Sequence, residues 1–97
     1  MDAKDEIKLK IKAQLPFLKK KYQVKQMGIF GSFARNEQTQ GSDIDIMVEF
    51  ASPVGFFDFI RLENFLSTML DRKVDLVTEK ALKPVAKKYI LKEIFYV

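Results

Sequence analysis

The sequence predicts an α/β (α+β) protein with a small mixed β-sheet of about three strands, flanked by about four to five helices. Apolar residues recur every three or four positions in some segments, as on a helix, and at every second position in others, as on a strand. These segments alternate along 97 residues without a linker, a repeat or a low-complexity tract. We therefore expect a single domain, residues 1–97, built around one hydrophobic core.

The N-terminal segment predicts two helices. Its apolar residues recur at intervals of three and four positions: Ile7, Ile11, Leu15 and Leu18. A first helix is expected from residue 2 to about residue 14, with aspartates in its first turn, where they favour a helix N-terminus. Pro16 disfavours helical dihedrals in the residue before it, so we expect a break there. A second, short helix is expected over residues 16–22, with the proline in its first turn.

Three segments predict strands, at residues 24–31, 43–50 and 74–78. In the middle segment, alternate residues point to opposite faces: Ile44, Ile46, Val48 and Phe50 to one face, and Asp43, Asp45, Met47 and Glu49 to the other. This alternation between an apolar and a polar face is typical of a strand that lies over a core.

The segments between and after these strands predict turns and helices. Residues 32–36 suit a short helical turn, and residues 36–41 form a polar loop. Residues 56–70 predict a helix with a wide apolar face. Residues 84–96 predict a final helix with Pro84 in its first turn. The resulting order, α-α-β-α-β-α-β-α, predicts helices packed against a mixed sheet.

The composition excludes several classes of enzyme. The sequence contains no Cys and no His, which excludes disulfides, thiol catalysis, Ser-His-Asp hydrolysis and Cys- or His-ligated metals. Acid–base or metal chemistry must therefore use Asp, Glu, Lys or Tyr. No apolar run approaches ~18 residues, and the N-terminus lacks a signal-peptide pattern. We therefore expect a cytoplasmic protein that does not insert into a membrane.

The net charge of +4 is unevenly distributed along the chain. Residues 1–25 contain eight Lys and three acidic residues, residues 26–79 contain four basic and nine acidic residues, and residues 80–97 contain five Lys and one Glu. Two interpretations fit an acidic middle between basic ends. In the first, the basic segments at both ends of the chain are solvated helix faces. In the second, they surround an acidic metal-binding site and attract phosphate-bearing ligands.

Three aspartates lie in predicted strands, although Asp is an unfavourable strand residue. Asp43 and Asp45 are two positions apart and therefore share a face, with Cα atoms roughly 6–7 Å apart. Asp75 joins them if its strand pairs beside residues 43–50. An exposed edge strand would also tolerate the pair, but the uniformly apolar opposite face favours a functional site. An all-oxygen donor set selects Mg²⁺ or Mn²⁺, and two such ions can assist an in-line displacement at phosphorus.

Gly31 and Ser32 follow the first predicted strand. By itself, a Gly-Ser pair indicates only a turn. A turn that opens a helix also presents backbone N–H groups and a hydroxyl, which together suit a phosphate. The pair is therefore a candidate phosphate-binding turn.

Gly31-Ser32, ten residues and then Asp43-x-Asp45 resemble the signature of the nucleotidyltransferase (polymerase beta-like) superfamily. Residues 29–35 (IFGSFAR) and 42–50 (SDIDIMVEF) are similar to the minimal nucleotidyltransferases of bacteria and archaea. Residues 72–77 (RKVDLV) resemble the segment that supplies the third carboxylate of that family. The likeness extends over about residues 10–97.

Two positions depart from the usual pattern of the family. Phe33 stands where many members carry Arg, so one phosphate contact is missing. Asn36 stands where Gly is frequent, and Asn tolerates left-handed dihedrals. The carboxylates and the Gly-Ser pair are intact, so the resemblance implies an active enzyme.

The resemblance also implies a role for each candidate residue. The implied catalytic and metal-binding residues are Asp43, Asp45 and Asp75. The implied nucleotide-binding residues are Gly31, Ser32, Arg35 and Ser42. Two Mg²⁺ ions are expected, with Mn²⁺ as an alternative, and ATP is the expected substrate. Asp75 would also help to deprotonate the attacking hydroxyl, and pyrophosphate would leave with the second metal. For Arg35 two roles stay open, a phosphate contact or a surface salt bridge that braces the turn.

The chain has no room for the second domain with which larger relatives hold their acceptor. Minimal nucleotidyltransferases typically act as antitoxins of HEPN-domain RNA-cutting toxins, which implies transfer of AMP to a Tyr hydroxyl of such a toxin. The wide apolar faces of the helices at residues 56–70 and 84–96 favour a complex. A homo-oligomer would satisfy the packing argument but not the need for an acceptor. The alternatives are an antitoxin that acts by binding alone, or transfer to RNA ends or a small molecule. Direct nucleic-acid binding is not expected.

Overall fold

The computed structural model describes residues 2–97, which form three α-helices and one four-stranded sheet. The helices are α1 (Ala3–Tyr22), α2 (Phe56–Leu70) and α3 (Pro84–Glu93). The strands are β1 (Val24–Phe30), β2 (Ile44–Phe50), β3 (Val74–Thr78) and β4 (Phe95–Tyr96). Two 3-10 turns, Gly31–Phe33 and Glu79–Ala81, follow β1 and β3. The α/β class predicted from the sequence is confirmed, with fewer α-helices and one more strand than expected.

Helix α1 is continuous, so the predicted break at Pro16 is wrong. Asp2 caps its N-terminus by accepting a hydrogen bond from the N–H of Asp5 at 2.9 Å. Pro16 is exposed on the outer surface of the helix. Ile11 and Leu18, on either side of it, are fully buried. Burial of these apolar side chains offsets the roughly 3 kcal/mol that an interior proline costs a helix.

The strand order is β3-β2-β1-β4. β1 pairs antiparallel with β2 and with β4, whereas β2 and β3 are parallel. The predicted mixed sheet is therefore present, and β2 is one of its two central strands. Because β2 is central, its side chains are flanked by those of β1 and β3 on each face.

The core lies between one face of the sheet and helices α1 and α2. Its side chains without exposed surface are Ile11, Leu18, Met27, Ile29, Ile44, Ile46, Leu62 and Leu66. The apolar face predicted for residues 43–50 is thus the core face, and Asp45 points to the opposite side. None of the helices in residues 2–97 has the length and apolar character needed to cross a bilayer.

The C-terminal segment differs from its prediction. Helix α3 ends at Glu93 rather than near residue 96, and residues 95–96 form β4 against β1. The N–H of Val97 continues this pairing to the carbonyl of Met27 at 3.0 Å. Phe95 and Val97 pack against the core. Their burial in the sheet explains why the apolar pattern continues beyond the helix.

Helix α2 covers the outer edge of β3 with hydrogen bonds. Ser67 Oγ accepts from the N–H of Val74 at 3.0 Å, and Glu63 Oε2 accepts from the N–H of Leu76 at 2.9 Å. An edge strand would otherwise leave these N–H groups without partners. The pairing fixes α2 to the strand that carries Asp75.

Candidate active site

Asp45 and Asp75 lie beside one another on neighbouring parallel strands. Their Cα atoms are register partners of the β2–β3 pairing, so both side chains leave the same face of the sheet, about 4.8 Å apart at the backbone. Asp43 comes just before β2, with its Oδ2 3.7 Å from Nζ of Lys73. The structure thus brings Asp45 and Asp75 together, as the predicted pairing of their strands requires, with Asp43 one residue before β2.

The Asp45 carboxylate packs directly against Gly31. Gly31 has φ of +75°, and a Cβ added there would lie 3.0 Å from Cγ of Asp45 and nearer still to Oδ2. A positive φ is unfavourable for other residues. Both the backbone conformation and the neighbouring carboxylate therefore require glycine at this position. The close packing places the turn after β1 next to the aspartates of β2 and β3.

The pKa of Asp45 is raised above the usual value for an aspartate. The largest cause is partial burial, followed by the negative charges of Asp75 and then Asp43. Burial and like charges both disfavour an ionised carboxyl. A cation bound between these side chains would offset that repulsion.

The 3-10 turn Gly31–Phe33 presents Ser32 as an available donor. Within residues 2–97, neither the N–H nor the hydroxyl of Ser32 has a hydrogen-bond partner. Phe33 is only 1% exposed and packs in the core. The Arg72 guanidinium lies over its ring, 5.1 Å from the centroid. The buried Phe33 side chain therefore anchors the turn to the hydrophobic core.

Glu93, the last residue of α3, makes two hydrogen bonds that hold the Gly31–Phe33 turn in place. Its Oε1 accepts a hydrogen bond from the N–H of Gly31 at 3.0 Å, and its Oε2 accepts from Nη1 of Arg35 at 2.9 Å. Arg35 Nε also donates to Glu37 at 3.1 Å. Of the two roles left open for Arg35, the salt bridge is present in the structure, and the phosphate contact stays a prediction. Sequence reasoning missed Glu93, because it is one acidic residue near the chain end without a motif around it.

Ser42 lies in a loop that Arg72 fixes to the body of the protein. Its Oγ accepts a hydrogen bond from the N–H of Thr39 at 2.8 Å. Arg72 Nη1 donates to the carbonyls of Gln40 and Ser42 at 2.9 and 3.1 Å. These contacts hold the segment that leads into Asp43, a function for Arg72 that its sequence position did not reveal.

The residue types at the site fit a divalent cation. Carboxylate oxygens are the ligands that Mg²⁺ and Mn²⁺ prefer, and two aspartates in register share one face with a third close by. In the conformation described for residues 2–97, no group of three or more acidic side chains lies close enough together to enclose a metal ion. Metal binding would therefore draw the carboxylates nearer to one another.

Residues 11–97 match the nucleotidyltransferase domain family. Protein MJ0126 of Methanocaldococcus jannaschii, named as a candidate protein adenylyltransferase, is 44% identical over 98 residues, covering 100% of both chains. Protein adenylyltransferase MntA of Thermococcus cleftensis is 37% identical over 93 residues, covering 96% of this chain and 94% of the relative. The match therefore extends over nearly the whole length of each protein.

Solved structures share the fold. One of a candidate minimal nucleotidyltransferase superposes with a TM-score of 0.81 and 29% identity, over 98% of this chain and 95% of the other. A chain of the Shewanella oneidensis complex between a tri-AMPylated HEPN toxin and an MNT antitoxin gives a TM-score of 0.60 and 22% identity, over 96% and 66% of the two chains. The family match, the relatives and the shared fold agree with the Gly-Ser turn and the paired aspartates, and the chain belongs to the nucleotidyltransferase domain family as one of its minimal nucleotidyltransferases.

Proposed function

We propose that this chain is a metal-dependent protein adenylyltransferase that transfers AMP from ATP to a tyrosine hydroxyl of a HEPN-domain toxin and so acts as its antitoxin. One observation supports the chemistry above all others. Asp45 and Asp75 are register partners on one sheet face, beside a turn whose Ser32 has its N–H and hydroxyl available. Carboxylates for metal ions and donors for phosphate thus lie side by side, as phosphoryl transfer requires.

Ser32 would hold the terminal phosphates through its N–H and hydroxyl. Asp43, Asp45 and Asp75 would hold two Mg²⁺ ions, which when bound stabilise the charge on the attacking and leaving oxygens. The packing of Gly31 against Asp45 fixes the distance between the two halves of the site. The triphosphate would therefore be oriented with its α-phosphate next to the carboxylates.

The proposed transfer is a single displacement at the α-phosphorus of ATP. The acceptor hydroxyl oxygen forms a bond to the α-phosphorus, and the bond from that phosphorus to the bridging oxygen breaks. Pyrophosphate leaves with the electron pair of the broken bond. Asp75, which is exposed at the face of β3, is the proposed acceptor of the hydroxyl proton.

A separate protein is the proposed acceptor of the AMP group. The name of the Thermococcus cleftensis relative is that of a protein adenylyltransferase, which favours a protein over RNA or a small molecule. The tri-AMPylated HEPN toxin in the Shewanella oneidensis complex supplies the partner class to test. Large side chains on α2 and α3 are exposed, with Phe56 at 71%, Phe57 at 73% and Tyr89 at 66%, and they offer a surface for such a partner.

Mass spectrometry tests the proposal directly. The chain would be incubated with ATP, Mg²⁺ and a HEPN-domain toxin, and the toxin would be analysed by intact mass and peptide mapping. We expect a gain of one or more AMP groups on tyrosine, and none in EDTA. Inhibition of the toxin without any mass change would instead favour an antitoxin that acts by binding alone. Modification of RNA or a small molecule in the absence of the toxin would contradict the proposed acceptor.

Calorimetry with ATP tests the metal requirement separately. Without a cation, the triphosphate would face three carboxylates of the same charge sign. Binding is therefore expected with Mg²⁺ or Mn²⁺ and should be much weaker in EDTA. Equal affinity in the two buffers would contradict the proposed metal site.

A further inference from the structure

Glu93 continues the pairing between β1 and β4 with its side chain. Gly28 pairs with Tyr96 and Ile29 with Phe95, so the same antiparallel register places Gly31 opposite Glu93. At that position the backbone of Glu93 is already helical. Its carboxylate takes the place of the next strand carbonyl and accepts the N–H of Gly31 at 3.0 Å.

We propose that Glu93 is a positioning residue for nucleotide binding, which holds the Gly31–Phe33 turn in the conformation that receives the triphosphate. This inference rests on the proposed function. One carboxylate oxygen fixes the backbone of Gly31, and the other fixes Arg35 at 2.9 Å. The turn is thereby held on both sides of Ser32. The N–H and hydroxyl of Ser32 stay available for phosphate, because Glu93 occupies neighbouring donors only.

The same contact also acts on the carboxylate side of the site. Gly31 packs against Asp45 so closely that no side chain fits between them. A turn released from Glu93 would move against Asp45, or away from it. Glu93 therefore sets the spacing between the phosphate donors and the paired aspartates, without touching either the nucleotide or the reacting atoms.

The two hydrogen bonds of Glu93 are not a consequence of packing α3 into the core. Helix α3 contains no fully buried residue, and its other ion pair joins Lys87 to Glu79 at 3.2 Å. The Glu93 side chain is 23% exposed, less than the partners of the other ion pairs in the part of the chain that the structure describes. A partly buried carboxylate with two hydrogen bonds holds its partners more firmly than an exposed pair does.

Calorimetry of ATP binding with excess Mg²⁺, on the wild-type chain and Glu93→Ala, tests the inference. We expect the affinity for ATP to fall about tenfold, the scale of one lost hydrogen bond to a charged group. The affinity for Mg²⁺-pyrophosphate should fall by the same factor, since it presents the phosphate tail alone. Removal of a negative charge near the turn would by itself favour phosphate. A fall in affinity therefore reports lost positioning, and an unchanged or higher affinity would overturn the inference.

Two further variants complete the test. Glu79→Gln removes the other ion pair of α3 and is expected to bind ATP like the wild type. Glu93→Gln keeps an acceptor for Gly31 but no charge for Arg35, so its affinity should lie between wild type and Glu93→Ala. If Glu93→Ala fails to fold, wild-type affinity in Glu93→Gln overturns the inference. Absence of ATP binding by the wild-type chain would overturn the proposed function instead, which keeps the two failures distinct.

Discussion

Gly31 lies where the phosphate-binding turn meets the metal-binding carboxylates of the proposed site. Its φ of +75° and its contact with Asp45 leave no space for a side chain. The sequence indicated a turn here, but a Gly-Ser pair does not reveal that the glycine must also accommodate a carboxylate from the neighbouring strand. That requirement depends on the β1–β2 register, which places Phe30 opposite Asp45.

Replacement of this glycine should therefore damage both fold and site. For Gly31→Ala we expect a loss of roughly 1–2 kcal/mol in the free energy of unfolding from the left-handed backbone alone, and a larger loss from the clash with Asp45. Gly41→Ala is the matched control, since a Cβ there meets no atom within 4 Å. Denaturant unfolding of the two variants would show the difference, and equal stability would contradict the tight packing described for Gly31.

The carboxylates of Asp45 and Asp75 are expected to be required for nucleotide transfer and to lower the stability of the folded protein. Asp45→Asn and Asp75→Asn preserve shape but remove a charge, so we expect nucleotide transfer to fall by on the order of a thousandfold or more, with several kcal/mol of metal-derived stabilisation lost. The melting temperature should stay equal or rise, because repulsion between the carboxylates is relieved. Asp71→Asn, at an exposed helix end with φ of 51°, is the control that should change neither. Loss of stability with retained activity would indicate a structural role.

The raised pKa of Asp45 gives this stability effect a pH dependence. The folded protein binds the proton of this group more tightly than the unfolded chain does. Its contribution to stability is therefore greatest below the usual Asp pKa and is lost as pH rises through the raised folded-state pKa. The gain in melting temperature of Asp45→Asn over wild type should be larger at neutral pH than near pH 4, as calorimetric scans would measure. A gain independent of pH would contradict the assigned cause.

Among the elements, α1 departs most clearly from its prediction. Local dihedral preference at Pro16 predicted a break, yet the helix runs from Ala3 to Tyr22. Burial of Ile7, Ile11 and Leu18 on one face outweighs the local preference. The strength of that tertiary packing cannot be obtained from the sequence alone.

Replacement of Pro16 distinguishes one continuous helix α1 from two helices with a break at this residue. Inside a continuous helix, Pro16 deprives the carbonyl of Lys12 of its hydrogen bond. Pro16→Ala should therefore raise the free energy of unfolding by about 1–3 kcal/mol. In a helix that started at Pro16, the same change would be neutral or destabilising. Ala13 already provides an exposed alanine in the same helix, so an added alanine introduces no new surface chemistry. Urea unfolding measures the sign.

Strand β4 was missed for a different reason. Its two residues, Phe95 and Tyr96, are too few to show a period of two, and they follow a helical pattern without an interruption. Their pairing with β1 depends on contacts across more than half the chain. By contrast, β2, β3 and α2 were placed correctly, because each has a strong pattern between clear turn residues. Asp45 and Asp75 could thus be assigned to their strands, whereas Asp43 lies one residue before β2 and the hydrogen bonds of Glu93 could not be predicted.

At the scale of the whole molecule, apolar side chains on α3 remain uncovered. Val85 is 71% exposed and Tyr89 is 66% exposed. Phe95, which the sequence placed in the predicted helix at residues 84–96, lies in β4, partly buried with Lys4 over its ring. The helical part of the surface available to a partner on this side is therefore shorter than the sequence indicated.

Charge on this surface should weaken partner binding selectively. For Val85→Glu and Tyr89→Glu we expect the dissociation constant for the HEPN-domain toxin to rise about tenfold or more, as for central contacts of an interface. The affinity for ATP with Mg²⁺ should not change, since neither residue contacts the turn. Leu9→Glu is the control, as Leu9 is a comparably exposed apolar residue on α1, at 53%. Surface plasmon resonance would compare the variants, and equal binding by all three would place the interface elsewhere.

Glu93 is the last residue of the helix that carries this surface, and it holds the turn that is proposed to receive the triphosphate. One helix of ten residues thus connects the two proposed binding sites. Under thermodynamic linkage, a partner that shifts α3 and changes the ATP affinity by some factor must have its own affinity changed by ATP through the same factor. A toxin that loosens Glu93 would be released as ATP accumulates, and one that tightens it would be retained until transfer is complete.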